Sequence, residues 1–101
     1  DDLIKAVNLV IQEEGGVSWV KEGESEVLGL PIAGIMSNKD AWQVAKKYDE
    51  LDHLAKSLGT SLHAPYMTLS FMALLVIPEL KLSDKGLFDG TTFSFTELAK
   101  A

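Results

Sequence analysis

The adjacent glycines Gly15-Gly16 stand between a stretch of helical periodicity and a stretch of β-forming residues, and this junction constrains the chain most. Before it, Leu3, Ile4, Val7, Val10 and Ile11 recur at three-and-four spacing behind Asp1 or Asp2, either of which can cap a helix. Ala6 and Leu9 widen that stripe, so the helix is expected to pack on a sheet with little of its circumference in water. After it, Val17–Lys21 and Glu26–Leu30 read as a hairpin around Glu22-Gly23-Glu24-Ser25, which has turn composition. The glycines therefore stop a helix. They do not form a phosphate loop, which requires the reverse order of strand, glycines and helix.

Pro31 closes the second strand, and Ile32-Ala33-Gly34-Ile35-Met36 makes a short apolar connection. Ser37 or Asn38 is expected to cap a second helix with Ala41, Val44, Ala45, Tyr48, Leu51, Ala55 and Leu58 on one side and Gly59 at its end. Asp40, Lys46, Lys47, Asp49, Glu50, Asp52 and Lys56 read as its solvated face. Thr60 to Pro65 is a loop. Met67–Leu75 is a buried run that periodicity leaves open between helix and strand. Ile77–Leu82 reads as extended, Ser83–Gly86 as a turn, Thr91–Phe95 as a short strand, and Glu97–Ala101 as a last amphipathic piece. The expectation is one α+β domain over residues 1–101, a small two-layer unit in which a β-sheet packs against two main helices.

With 47% apolar and 24% charged residues the chain has the composition of a globular protein, not of a disordered one. Its nine positive charges are all Lys against fifteen Asp and Glu, a net charge of -6 with no Arg, which argues against nucleic-acid binding and against an anionic membrane surface. The apolar-rich run Leu69–Ile77 is too short to span a bilayer. The first residues lack the pattern of a signal or transit peptide, so the default compartment is the cytoplasm. Without Cys there is no disulfide, thiolate metal site or cysteine nucleophile.

The residue types that carry chemistry do not assemble in the sequence. The two histidines, His53 and His63, lie ten residues apart on different elements; His53 reads as solvent-facing, and His63, in a loop before Ala64-Pro65, is the better candidate to line a site. Ser37, Thr68 and Ser70 have no recognisable base or oxyanion site beside them. Asp84 and Asp89 read as turn residues, and Glu79, next to Pro78 in an apolar context, is the carboxylate closest to a functional reading. Trp19, Trp42, Met67, Phe71 and Met72 could hold a flat ligand, but their spacing favours core packing. Gly29, Gly34 and Gly86 fit turns or close packing. Neither catalytic residues nor metal ligands are assigned, and substrate-binding residues stay unknown.

Several segments together resemble the end of bacterial adenine deaminases: Asp2–Asn8, Glu14–Val17, Leu30–Ser37, and above all Pro65–Leu74 followed by Val76–Leu87. The likeness runs from near Asp2 to about Phe93 with order and spacing kept. Glu14-Gly15-Gly16 replaces three glycines usual in the family, and Leu74-Leu75 replaces a common Leu-Pro. The resemblance implies a parent enzyme of the amidohydrolase superfamily, whose (β/α)8 barrel holds a two-metal centre of manganese or iron and converts adenine to hypoxanthine and ammonia in purine salvage. It also implies that the metal-binding histidines and carboxylates lie upstream, that the likeness begins inside the family's terminal domain, and that this piece is an inactive accessory domain. Its expected partner is the catalytic barrel of its own parent chain. His63 to Ser70 is the stretch expected to reach an active-site mouth or an oligomer interface, and an exposed sheet edge could pair two copies as a homo-oligomer. The alternative from another class is an independent small-ligand-binding or dimerisation module without catalysis.

Overall fold

The computed structural model describes residues 1–98, so Glu97 and Leu98 are the only part of the expected last amphipathic piece that is described; they form no helix. The element order is α1 (Asp2–Gln12), β1 (Gly16–Lys21), β2 (Glu24–Gly29), α2 (Ala41–Ser57), α3 (Pro65–Phe71), β3 (Leu80–Ser83), β4 (Gly86–Asp89) and β5 (Ser94–Phe95). The class is α+β, as expected. The backbone divides into two compact units, Asp1–His63 and Ala64–Ala101, where the sequence suggests one.

In the first unit, β1 and β2 form an antiparallel hairpin in the register Gly16↔Gly29 to Lys21↔Glu24. The turn is tighter than expected: Glu22 and Gly23 alone make it, both with positive φ, and Glu24 and Ser25 belong to the strand. Positive φ at both central residues matches the right-handed twist of the flanking strands, which favours two-residue loops. Side chains alternate across the pleat. On one face Ser18 Oγ donates to the Ala6 carbonyl of α1 at 2.8 Å. On the other, Glu26, opposite Trp19, is ion-paired with Lys47 of α2. Each helix thus forms a two-layer pairing with the hairpin, and Trp19, Leu28 and Leu51 are buried there, Leu51 completely.

The glycine pair ends α1 and also lets two backbones meet. Gly15 and Gly16 have φ of 129° and 138°, and a Cβ at Gly15 would overlap the Cα of Gly34, while one at Gly16 would overlap the Leu28 carbonyl. Leu30 N–H donates to the Gly15 carbonyl at 3.0 Å, and the connection after it closes on itself through the Ile32↔Met36 bridge. Asp40, not Ser37 or Asn38, caps α2: its carboxylate accepts the Trp42 N–H at 2.8 Å. Ser37 instead accepts the Lys39 N–H at 3.0 Å, a local turn that delays the helix.

Two expectations about burial fail here. Leu3, Ile4, Val7 and Ile11 of α1 are exposed, and only Ala6, Leu9 and Val10 of its stripe are half-buried, because one hairpin face is narrower than the stripe. Trp42 is 85% exposed. It lies nine residues, two and a half helical turns, before the buried Leu51, and so on the opposite side of α2.

The second unit opens with α3, which resolves the helix-or-strand ambiguity of Met67–Leu75 only in part: the helix stops at Phe71 and turns follow. Pro65 occupies the first helical position, where its missing N–H costs nothing. The run is not buried; Met67, Leu69, Phe71, Met72, Leu74 and Val76 are exposed, since a helix this short followed by turns presents apolar side chains in several directions. Strands β3, β4 and β5 form an antiparallel sheet in that order. Phe88 is its buried ring, with Phe93 and Phe95 edge-on at centroid distances of 5.5 and 5.4 Å.

Candidate functional site

An open groove of about 910 Å³ runs along α2 in the first unit. Its apolar wall comes from Leu28 and Leu30 at the end of the hairpin, Ile35 and Met36 of the connection, and Ala41, Val44, Ala45 and Tyr48 of the helix. The part of the α2 stripe expected to be buried therefore splits. Leu51 enters the core, whereas Ala41 and Ala45 face open space in the groove. Polar groups gather on it from Ser37, Lys39, Asp49, Asp52, Lys56 and His63. Lys56 and Asp52 are joined at 2.7 Å, one turn apart, which leaves the groove with little net charge from that pair.

His63, the better candidate of the two histidines, lies on the groove, while His53 is exposed outside it with Nδ1 2.8 Å from the Asp49 carbonyl and 3.7 Å from the Asp49 carboxylate. Pro65–Ser70, part of the stretch expected to reach an active-site mouth or an oligomer interface, is helical. Thr68 Oγ1 donates to the Ala64 carbonyl at 2.9 Å and Ser70 Oγ to the Met67 carbonyl at 2.7 Å, bonds within their own helix that do not activate a hydroxyl. Glu79 is exposed just before β3, and its carbonyl accepts the Gly90 N–H at 2.8 Å. Asp89 accepts the Thr91 N–H at 2.8 Å and Asp84 lies in the β3–β4 turn, so both are turn residues as expected. Of Trp19, Trp42, Met67, Phe71 and Met72, only Trp19 is a core residue, and its buried Nε1–H has no hydrogen-bond partner among the described residues.

Among the described residues no three His, Cys, Asp or Glu side chains converge as a metal site, so these residues do not fit the two-metal centre that the resemblance implies for a parent enzyme. What the groove offers is binding chemistry: an apolar wall for a flat or aliphatic group and a few polar groups to orient it. The sequence singles out only Ser37 and His63 among its polar lining. Asp49, Asp52 and Lys56 read as a solvated face and Lys39 is not singled out; the one available signal was the small size of Ala41 and Ala45 on the apolar side of α2.

No described helix is long and apolar enough to cross a membrane. No solved structure matches the chain. It is 60% identical over 96 residues to an adenine deaminase of Sulfurovum sp. (strain NBC37-1), 53% over 98 residues to one of Salinibacter ruber and 50% over 98 residues to one of Methanosarcina barkeri. These alignments cover 94%, 96% and 97% of this chain but 18% of each relative, so the chain spans under a fifth of their length. The model of the adenine deaminase C-terminal domain matches residues 1–94, across both units, and the chain belongs to that family.

Proposed function

We propose that this chain is the C-terminal accessory domain of an adenine deaminase, a larger polypeptide that hydrolyses adenine to hypoxanthine and ammonia in purine salvage in the cytoplasm. The observation that carries this is the asymmetry of the match, which takes in nearly all of this chain and 18% of relatives named adenine deaminase. In this reading the groups that perform the hydrolysis, with a manganese or iron pair, belong to a catalytic barrel elsewhere in the parent chain. This domain packs against that barrel, supports it and contributes to a homo-oligomer. The local geometry supports the accessory role: the candidate hydroxyls of Ser37, Thr68 and Ser70 are engaged with nearby backbone groups instead of a base. Deleting the domain from the full-length enzyme tests the role. Lowered turnover, weakened adenine affinity or altered assembly is expected, and no change in any of the three would reduce the domain to passive cover.

The groove favours a second reading, a module that binds a small ligand by itself. Titration of the chain with adenine and hypoxanthine, followed by tryptophan fluorescence, separates the two. Saturable binding in the micromolar range supports the module, and a flat titration removes it.

A further inference from the structure

Helix α1 is apolar on two sides. Ala6, Leu9 and Val10 are half-buried, and the Ala6 carbonyl is tied to Ser18 of the hairpin. Leu3, Ile4, Val7 and Ile11 form a second apolar face that is 51–78% exposed. Lys5, Asn8 and Gln12 leave only a narrow polar strip between them. A helix polar on so little of its surface is an interior helix of a larger body.

We propose that the outer face of α1 is the surface by which this domain docks onto the rest of the parent polypeptide, covered there by an apolar face of the adenine deaminase chain outside the matched region. The proposal rests on the accessory-domain reading above and adds which surface makes the contact. Three observations select this occupant. The relatives carry more than four-fifths of their length outside the part that matches here, so a tethered partner is always at hand. A tethered contact needs little area, because its effective concentration is already of millimolar order. Four aliphatic side chains suffice for that but fall well short of the roughly 800 Å² per partner of a standard interface between separate molecules, which disfavours a second copy. The net charge of -6 disfavours an anionic lipid surface.

The test uses a full-length adenine deaminase carrying this domain, with Val7→Cys, Ile11→Cys, Ala45→Cys and Glu24→Cys made singly and alkylation by iodoacetamide followed at each site by peptide mass spectrometry. Glu24 sits beside the hairpin turn as an exposed reference, and Ala45 reports the α2 groove. Val7→Cys and Ile11→Cys are expected to react at least about ten-fold more slowly than Glu24→Cys, as side chains released only by local opening do. Reaction of both within about two-fold of Glu24→Cys overturns the proposal. Protection of Ala45→Cys alone would then leave the accessory reading standing with the contact moved to the groove, whereas free reaction at all four sites would count against both. Two α1 positions guard against a local effect of either substitution.

Discussion

Residues 1–63 and 64–98 bury apolar surface by different means. In the first unit two helices grip a hairpin, so Trp19, Leu28 and Leu51 are covered by elements distant in sequence. In the second, a small sheet wraps one ring, Phe88, with two others that follow within seven residues. The lesson is that short strands such as the two-residue β5 hold a local cluster but not a covering layer, whereas α2, at 17 residues, shields one face of the hairpin.

The contrast breaks most sharply at Leu51. Leu51→Ala removes the one completely buried side chain among the described residues, and urea unfolding followed by tryptophan emission is expected to lose about 2–5 kcal/mol. Phe88→Leu keeps an apolar side chain but loses two edge-to-face contacts, each worth about 0.5–1.5 kcal/mol; earlier hydrogen exchange confined to β3–β5 would show that the two units respond separately. Equal exchange in both units would end the comparison. Asp40→Ala removes the cap of α2 and is expected to cost about 0.5–2 kcal/mol, visible as a lower melting temperature and fraying at Ala41–Val44. The smallest effect is expected for Glu26→Gln, which breaks a partly exposed pair with Lys47, worth about 0.2–1 kcal/mol and fading as salt is added.

Boundaries were legible because they are local. Gly15-Gly16, Glu22-Gly23, Pro31 and Gly59 punctuate the chain by backbone preference alone, and α1, the hairpin, α2 and the Ser83–Gly86 turn follow from them. Where capping side chains stand close together the choice was not legible: Ser37 or Asn38 was expected to cap α2, and Asp40, read as part of its charged face, does so. Burial was far less legible. Leu3, Val7 and Met72 have the spacing of core residues, yet whether a partner covers them depends on the area of surfaces far away in sequence or in another part of a longer polypeptide. The groove was hidden for the same reason: it needs Leu28, Ile35, Val44 and His63 together, which come from different elements and share no local pattern.

At the crossing of Gly15 and Gly34 there is no side chain to bend, swell or slide. There the end of α1 meets the connection after β2 main chain against main chain. A methyl group added at residue 15 would collide with the Gly34 Cα, and one of the two segments would have to give way.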